Sequence, residues 1–370
     1  MRSNSAPRAR LALFLCALTL ACSTARGRLP FAVETVAKFD EPWAMAFLPD
    51  GRLLITEKAG RLLVVSRSGE TAAISGVPKV DYGGQGGLGD VALHPDYAAN
   101  GLVYLSFVEP GDDDTRGAAV ARGRLTLRED GGSLSDLEVI WRQQPKVTGR
   151  GHFGHRLLFA PDGKLFISSG ERQKFDPAQD MDTNLGKIVR INDDGSLPSD
   201  NPFEYRGGVA AQIWSLGHRN PLGLALDGDG QLWNTEMGPW GGDELNRVLP
   251  GRNYGYPLVS NGDHYDGREI PDHDTRPDLE APKAWWNPVI SPAGLMFYSG
   301  DLFPDWRGDA FIPGLSSQAL VRVEFDGENA HEAERFDMGR RIRAAVQGRA
   351  GAIWLLEDGD GGRLLKLTPR

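Results

Sequence analysis

Short apolar strands separated by Asp- and Gly-rich turns recur along the chain. Residues 43–65, WAMAFLPDGRLLITEKAGRLLVV, contain alternating strands that meet at a Pro-Asp-Gly turn. An apolar strand, a polar turn and a second strand rich in β-branched or aromatic residues are typical of a β-hairpin. Similar units occupy residues 88–107, 154–170, 222–234, 293–312 and 342–356. These six units favour radially repeated sheets, and we predict an all-β fold, a six-bladed β-propeller.

A β-sandwich built from similar hairpins is the alternative fold, but six units are more than one sandwich needs. No segment longer than about ten residues has a convincing helical period. The 370 residues include 47 glycines and 24 prolines, which favour tight turns over long helices. No internal domain boundary is evident, so we expect one propeller domain over residues 32–370.

The N-terminal residues have the composition of an export signal. The basic segment MRSNSAPRAR precedes an apolar stretch, Leu11 to Ala21, that is too short to span a bilayer. We predict a signal peptide over residues 1–22 and a short linker over 23–31. The protein is then exported to the periplasm.

Two cleavage sites remain open for this signal. Thr19-Leu20-Ala21-Cys22 resembles a bacterial lipobox, and cleavage before Cys22 gives a lipid-anchored, outer-membrane protein. Cleavage near Ala25 gives a soluble periplasmic protein. Both cysteines, Cys16 and Cys22, precede the domain, which therefore has no intramolecular disulfide. The net charge of -9 and the absence of a Lys/Arg cluster argue against nucleic acid as a partner.

The segment 217–246 combines several chemical groups. Arg219 is a permanent cation suited to an anionic group or a developing oxyanion, and Asn220 is held extended by Pro221. A Gly-rich turn then precedes Asp243 and Glu244, where backbone carbonyls and carboxylates can meet around a hard cation.

Two histidines precede the third hairpin. His152, in the segment GHFG, can act as a general base because the ordinary pKa of imidazole is near neutrality. A structural role is the alternative, and His155 competes for the same function. Gln85 lies in GGQGG, which either approaches a ligand closely or forms a flexible turn. Four further histidines lie in polar, turn-like segments, and we expect them at the surface: His94, His264, His273 and His331.

The segment RRIR at 340–343 suggests anion binding. Strand alternation directs Arg341 and Arg343 to the same face, which suits a ligand with several carboxylates. A solvated sheet edge fits the spacing equally well. Asp180 and Asp182 lie in an acidic segment that could bind calcium, but they lack EF-hand spacing.

Five separated segments resemble the soluble PQQ-dependent glucose and aldose sugar dehydrogenases. They are GGQGGLGDVALHPDY, GHFGHRL, SLGHRNPLGLALD, GPWGGDELN with NYGYP, and RIR. The resemblance extends from about Pro42 to the C-terminus, and the periplasmic aldose sugar dehydrogenases are the most similar branch. It implies a six-bladed propeller that binds PQQ and Ca²⁺, oxidises aldose sugars at C1 to lactones and passes electrons to an unknown acceptor.

The resemblance also implies a role for each matching residue. His152 matches the general base that takes the proton of the C1 hydroxyl while hydride passes to the quinone. Arg219 and Asn220 match the pair that contacts the reacting quinone carbonyl, so Arg219 has a catalytic role as well. Other PQQ contacts match Gln85, Tyr265, Gly314, Leu315, Ser316, Arg341 and Arg343. Gly238 and Pro239 match the turn that holds the PQQ-bound Ca²⁺, while Glu244 and the carbonyl of Tyr254 match a second, structural Ca²⁺ site.

One departure concerns cofactor affinity. Ser316 stands where family members commonly have a lysine that pairs with PQQ, and its loss predicts binding weaker by about 1–3 kcal/mol. Ala344 stands where an acidic residue often follows the arginine pair. Two other functions stay open. A non-catalytic carbohydrate-binding propeller fits the change at Ser316, and a calcium-dependent lactonase-type hydrolase would have no use for Arg341 and Arg343.

Overall fold

A computed structural model describes residues 29–370, in which β-strands are the main regular element. The predicted signal peptide, with Cys22, and most of the predicted linker lie outside the described residues. The first half of the chain contains strands β1 (Phe31–Asp40), β2 (Pro42–Phe47), β3 (Leu53–Glu57), β4 (Arg61–Val65), β5 (Thr71–Ser75), β6 (Leu88–Leu93), β7 (Leu102–Pro110), β8 (Arg116–Arg128), β9 (Gly131–Arg142), β10 (Gly154–Phe159), β11 (Leu165–Ser169) and β12 (Lys187–Ile191). The second half contains β13 (Ile213–Leu216), β14 (Pro221–Leu226), β15 (Leu232–Glu236), β16 (Trp240–Gly241), β17 (Asp243–Arg247), β18 (Gly262–Asp263), β19 (Ala284–Trp286), β20 (Met296–Phe297), β21 (Ala310–Pro313), β22 (Ala319–Asp326), β23 (Asn329–Asp337), β24 (Ile342–Gln347), β25 (Ile353–Glu357) and β26 (Asp360–Pro369).

Helical structure is short, as the lack of helical periodicity predicts. Within residues 29–370 there is one α-helix, α1 (Tyr97–Asn100), which ends at Gly101 with a left-handed φ of 68°. The 3-10 helices of this range are Asp176–Ala178, Glu204–Arg206, Ala210–Gln212, His273–Thr275 and Pro304–Trp306. No helix in the described part of the chain is long and apolar enough to cross a membrane.

The strands form four-stranded meanders in chain order. Separate sheets have the orders β10-β11-β12-β13, β14-β15-β17-β19, β20-β21-β22-β23 and β24-β25-β26-β1. Two further meanders, β2 to β5 and β6 to β9, join into an eight-stranded sheet through the parallel pairing of β5 with β9. A small sheet pairs β16 with β18. Each hairpin predicted from the sequence contains the first two strands of one meander, which confirms the six hairpins. The unit 43–65, predicted as two strands, also contains a third strand, β4.

The two ends of the described chain meet in one sheet. Strand β1 pairs antiparallel with β26, from Phe31 opposite Pro369 to Asp40 opposite Asp360. Phe31 is fully buried, and its ring lies edge-on to Phe336 at 5.2 Å. The last meander thus takes its fourth strand from the beginning of the domain.

The hydrophobic core is divided into clusters that lie between neighbouring meanders. In chain order these clusters join Leu54 with Val103, Val120 with Ile167, Phe166 with Leu232, Trp233 with Ile312, Phe311 with Leu355, and Leu356 with Ile55. The last pair connects β25 to β3, so the order of packing returns to the first meander. Burial of large aliphatic and aromatic side chains contributes about 1.5–3 kcal/mol each.

The buried side chain of Arg156, on β10, connects several meanders. Its Nε donates to the carbonyl of Leu222 at 2.7 Å, and its Nη2 donates to that of Ala293 at 2.5 Å. The guanidinium lies 3.9 Å from the ring centroid of Trp43 and pairs with Asp90 at 3.5 Å. Because these partners come from different meanders, one cation links the first strands of several sheets.

Candidate cofactor pocket and active site

The candidate site residues share one position in the fold. Gln85, His152, Arg219 and Arg341 each lie shortly before the first strand of a meander, while Gly238 follows a second strand. In an antiparallel pair, the start of the first strand and the end of the second lie at the same sheet edge. The hairpin pattern therefore brings these residues to one end of the sheets.

Two pockets at this end contain most of the predicted residues. The first, called here the cationic pocket, is lined by Glu41, Trp43, Lys58, Gly84, Gln85, Phe153, Gly154, His155, Leu222, Met237, Ser291, Leu315, Arg341, Arg343 and Asp358. The second, called the aromatic pocket, is lined by His152, Glu171, Gln173, Phe175, Arg219, Pro239, Tyr256, His264, Tyr265, Asp266 and Arg268. The walls of the two pockets touch, because Gln85 Oε1 of the cationic pocket accepts the backbone N–H of His152 of the aromatic pocket at 2.8 Å.

His152 is paired with a carboxylate. Its Nδ1 donates to Glu171 Oε1 at 2.5 Å, and both side chains are buried. This hydrogen bond places the proton of the neutral imidazole on Nδ1 and leaves Nε2 as the basic nitrogen. The other candidate, His155, bonds to Ser106 Oγ at 2.9 Å and stacks on Trp43, and it has no carboxylate partner among the residues that the structure describes.

The electrostatics favour a neutral imidazole beside an ionised carboxylate. Burial lowers the pKa of His152, and the cation of Arg219 acts in the same direction, against Glu171. Burial raises the pKa of Glu171, but the hydrogen bonds from His152 and from the backbone of Phe175 outweigh it and hold that pKa below its ordinary value. His152 is thus in its basic form at neutral pH, as a general base requires.

Buried side chains hold the His152 loop in place. His152 has a left-handed φ of 51°, and Arg172 Nε donates to the carbonyl of the preceding Gly151 at 2.9 Å. Glu171 Oε2 accepts the backbone N–H groups of Lys174 at 2.5 Å and of Phe175 at 2.9 Å. One carboxylate therefore orients the base and also positions Phe175 in the wall of the aromatic pocket.

Arg219 and Asn220 present polar atoms without protein partners. Arg219 Nη1 donates to the carbonyls of Met237 at 3.0 Å and Gly238 at 2.6 Å. Within residues 29–370, Arg219 Nε and Asn220 Oδ1 are buried and have no hydrogen-bond partner. Leaving such groups unsatisfied costs about 1–3 kcal/mol each, so the pair suits a bound polar group.

Asp243 shapes the predicted calcium-binding turn. Its Oδ1 accepts the N–H of Gly238 at 2.9 Å, and its Oδ2 accepts the N–H groups of Ile290 at 2.8 Å and Ser291 at 2.6 Å. Burial raises the pKa of Asp243 to about 6 despite these bonds. Because both oxygens are engaged by backbone groups, Asp243 orders the turn instead of offering a free carboxylate to a cation.

Two of the three arginines of RRIR, Arg341 and Arg343, face the same carboxylate, as the predicted alternation requires. Arg341 Nε donates to Asp358 Oδ2 at 2.7 Å, and Arg343 Nε donates to Asp358 Oδ1 at 2.8 Å. Lys58 Nζ, in the same pocket, donates to Glu41 Oε1 at 3.0 Å. The cations of this pocket are thus held in place by carboxylates of its own wall.

The segment 314–316 is divided between wall and surface. Leu315 lines the cationic pocket, and the N–H of Gly314 donates to the carbonyl of Ala319 at 2.9 Å. Ser316 is exposed, and its Oγ donates to the carbonyl of Val289 at 3.3 Å. Ser316 is therefore outside the lining of both pockets, while Tyr265, although 68% exposed, lines the aromatic pocket.

Glu244 belongs to a separate buried cluster. Asn246 Nδ2 donates to both Glu244 Oε2 and Glu236 Oε1, at 3.0 Å each. His273 Nε2 lies 3.2 Å from Glu244 Oε1. Burial raises the pKa of Glu244, and the neighbouring Glu236 raises it further. The prediction that His273 lies at the surface is wrong, because this ring is only 5% exposed and faces a carboxylate.

The same cluster contains the other predicted structural ligand. The ring of Tyr254 stacks on His218 at 4.7 Å, and His218 Nδ1 lies 3.2 Å from Glu236 Oε1. Asn246 Oδ1 has no hydrogen-bond partner in the described residues. In residues 29–370, no group of three or more His, Cys, Asp or Glu side chains is arranged to hold a metal ion. The calcium assignments depend on backbone carbonyls and stay predictions.

Comparison with known proteins identifies the family of this chain. The family model of glucose/sorbosone dehydrogenases matches residues 39–366. The chain belongs to the glucose/sorbosone dehydrogenase family. Within it, the aldose sugar dehydrogenase YliI of Escherichia coli K12 is 42% identical over 340 residues, covering 90% of this chain and 91% of that protein.

Solved structures agree with this family membership. The apo crystal structure of the soluble aldose sugar dehydrogenase of Escherichia coli matches with a TM-score of 0.88 at 41% identity. The match covers 92% of this chain and 100% of that one. The PQQ-bound aldose sugar dehydrogenase of Streptomyces coelicolor matches with a TM-score of 0.76 at 28% identity, covering 92% and 98%. The resemblance stated from the sequence motifs is confirmed.

The sequence assigned no role to several carboxylates of this glucose/sorbosone dehydrogenase site. Glu171, Glu236 and Asp358 end the second strand of a meander or follow it within two residues, and each is bonded to a predicted site residue. A charged residue at the end of an apolar strand was the available signal. Their partners come from other segments, so spacing alone could not pair them.

Proposed function

We propose that this protein is a PQQ- and calcium-dependent dehydrogenase that oxidises aldose sugars at C1 to lactones. The observation that carries this proposal is the buried His152–Glu171 pair, which opens on the same pocket as Arg219. The cationic pocket adjoins it through Gln85. The similarity to aldose sugar dehydrogenases supports the same reaction class.

We further propose that the six meanders are blades of one closed propeller. The cyclic order of the hydrophobic clusters and the pairing of β1 with β26 support a ring. The contacts of Arg156 with several first strands support a common centre. A propeller of this kind places the starts of its inner strands, and so the site residues, around one opening.

The cationic pocket fits an anionic quinone. Lys58, Arg341 and Arg343 line it. In the adjoining aromatic pocket, Arg219 has a buried Nε atom without a hydrogen-bond partner in residues 29–370, which suits a polar atom of a ligand. When bound, PQQ supplies the two-electron oxidant that accepts a hydride from the sugar carbon. The chain itself positions the reactants and controls their charges.

His152 performs the proton transfer. The proton of the sugar C1 hydroxyl moves to His152 Nε2 as the C1–H bond breaks with its electron pair and the C1–O double bond forms. Glu171 stabilises the imidazolium that results, and the cation of Arg219 stabilises negative charge that develops beside it. Phe175, Tyr256 and Tyr265 give the aromatic pocket flat apolar surfaces against which a sugar ring can pack.

Calcium would be held mainly by backbone oxygens. Gly238 and Pro239 are the proposed ligands of the cofactor-bound ion, and the Gly238 carbonyl already faces the cation of Arg219. Glu244 and the carbonyl of Tyr254 are the proposed ligands of the second ion. The donor set of carboxylate and carbonyl oxygens is the one that Ca²⁺ prefers.

The test is reconstitution. Purified protein is incubated with PQQ and Ca²⁺, and we measure the visible spectrum of PQQ and the aldose-dependent reduction of an artificial dye. His152→Ala should lose dye reduction but keep the spectral change, whereas His331→Ala, at an exposed position, should keep both. Absence of both signals in the wild type overturns the proposal, and PQQ-independent hydrolysis of a lactone would indicate a hydrolase.

We also propose that the protein is exported to the periplasm, with a lipid anchor at Cys22 as one of two outcomes. The apolar stretch and lipobox-like residues before Cys22 support export. Mass spectrometry of the mature N-terminus distinguishes a lipid-modified Cys22 from cleavage near Ala25. An unprocessed N-terminus in exporting cells would overturn the proposal.

A further inference from the structure

We propose that Lys58 is a cofactor-binding residue that supplies, from the first meander, the cation that the segment at Ser316 lacks. Its ammonium group would bind a carboxylate of the anionic cofactor in the cationic pocket. The inference rests on the proposed function, since it concerns how that pocket recognises PQQ.

The backbone of Lys58 is fixed at the pocket wall. Lys58 directly follows β3, its N–H donates to the carbonyl of Glu41 at 3.1 Å, and its carbonyl accepts the N–H of Leu88 at 2.9 Å. A Cβ atom at Gly87 would lie 2.1 Å from the Lys58 carbonyl oxygen, so the neighbouring loop packs directly on this residue. The side chain therefore starts from a defined point between two meanders.

The ammonium group is oriented but not saturated. Lys58 Nζ donates to Glu41 Oε1 at 3.0 Å, and the side chain is only 14% exposed. Glu41 is itself held by the hydroxyl of Tyr82, which donates to its other oxygen. An ammonium group has three donors, and within residues 29–370 Lys58 Nζ has one hydrogen-bond acceptor, Glu41, while the ring centroid of Tyr82 lies 5.7 Å away. Two N–H groups remain for a ligand.

Lys58 adjoins the arginine cluster of the same pocket. The N–H of Glu41 donates to the carbonyl of Gly359 at 3.2 Å, directly after Asp358, the carboxylate that bonds Arg341 and Arg343. The pocket lining thus contains three cations, Lys58 and the two arginines, against two carboxylates, Glu41 and Asp358. The difference, 3 − 2, is one net positive charge, which favours a ligand with several carboxylates.

Ser316 cannot supply the missing charge. It is exposed, bonds to the backbone of Val289 and is not part of the pocket lining. Electrostatic attraction depends on the position of the charge in space and not on the strand that carries it. The lining of this pocket contains a lysine, Lys58, on the first meander. Its charge takes the place of the lysine that the fifth meander lacks at Ser316.

The test compares PQQ binding by three variants. Lys58→Gln removes the charge, Lys58→Arg retains it, and Lys146→Gln is the matched control. Lys146 pairs with Glu109 at 2.9 Å, has 26% of its side chain exposed and lies outside both pockets. The dissociation constant of PQQ is measured by absorbance titration in Ca²⁺-containing buffer, and thermal unfolding verifies that each variant is folded.

We expect Lys58→Gln to weaken PQQ binding about tenfold or more, as loss of a charge-assisted hydrogen bond predicts. Lys58→Arg should bind closer to wild type, and Lys146→Gln should match wild type. Equal affinity of the Lys58→Gln and Lys146→Gln variants would overturn the role of Lys58 and leave the proposed function intact. If the wild-type protein does not bind PQQ at all, both proposals fail together.

Discussion

Replacing Glu171 with glutamine tests the chemistry of the candidate base most directly. Glu171 Oε1 accepts a hydrogen bond from His152 Nδ1 at 2.5 Å, and both side chains are buried, so solvent screens the pair only weakly. The substitution keeps the size of the side chain and removes its charge. The carboxylate stabilises His152 most when the imidazole has accepted the proton of the substrate, so the loss falls mainly on the transition state.

The expected magnitude follows from that hydrogen bond. A hydrogen bond to a charged group contributes about 1.5–3 kcal/mol, which corresponds to roughly 10- to 150-fold in kcat. A second effect arises at Oε2, which accepts the N–H groups of Lys174 and Phe175. Glutamine has one acceptor oxygen, so its N–H₂ group must face either His152 Nδ1 or the two backbone N–H groups. We therefore also expect a lower melting temperature.

The pH profile separates these two effects. In the wild type, Glu171 opposes the lowering of the His152 pKa by burial. Without the carboxylate the pKa of His152 falls further, so the neutral base persists to lower pH and the acidic limb of kcat moves downward in pH. A defect in folding alone would reduce the plateau of kcat without moving that limb.

Asp309 provides the matched control. It is a buried carboxylate that pairs with Arg322 at 2.5 Å on the sheet of β20 to β23 and is absent from the lining of both pockets. Asp309→Asn should lower the melting temperature while kcat and its acidic limb stay unchanged. If the Glu171→Gln enzyme has the kcat and the acidic limb of the wild type, the assignment of Glu171 as the partner of the base is refuted.

Three further substitutions test the fold and the metal sites. Arg156→Met should lower the free energy of unfolding by about 3–5 kcal/mol in urea, because it leaves Asp90 buried without its partner. Asp243→Asn should weaken Ca²⁺-dependent PQQ binding about tenfold in calorimetric titrations. Burial raises the pKa of Asp243 to about 6, above the value in the unfolded chain, so the protonated side chain favours the folded state. This contribution to the free energy of unfolding is lost as pH rises through about 4 to 6, and the asparagine variant should lack that pH dependence. Glu244→Gln should reduce the rise in melting temperature that Ca²⁺ produces.

Clear results would contradict each of these predictions. A urea midpoint equal to wild type for Arg156→Met would show that this cation does not link the sheets. Unchanged PQQ binding by Asp243→Asn would separate the turn from the cofactor site. A full Ca²⁺-dependent increase in melting temperature for Glu244→Gln would place the second ion elsewhere. As a reference for all three, Lys146→Gln changes a surface ion pair worth about 0–1 kcal/mol.

The hairpins were predictable from sequence because their determinants are local. Alternating apolar residues and a Pro-Asp-Gly turn specify two paired strands without reference to the rest of the chain. No local sequence signal predicts the pairing of β1 with β26. The two strands are more than 300 residues apart in the chain, and they pair through backbone groups, which every sequence has. The same limit applies to His273, which has turn-like neighbours in sequence but is buried against Glu244 by the fold.

The location of the site follows from those hairpins, but its pairings do not. Residues before first strands and after second strands meet at one sheet edge, so His152, Arg219 and Arg341 could be grouped from sequence. Which carboxylate faces which cation depends on how the sheets are arranged around their centre. A residue-by-residue comparison therefore counts Ser316 as a lost charge, whereas the folded pocket contains Lys58. Because an anionic ligand responds to the field of the whole pocket, the charge of the assembled lining, not one aligned position, determines cofactor affinity.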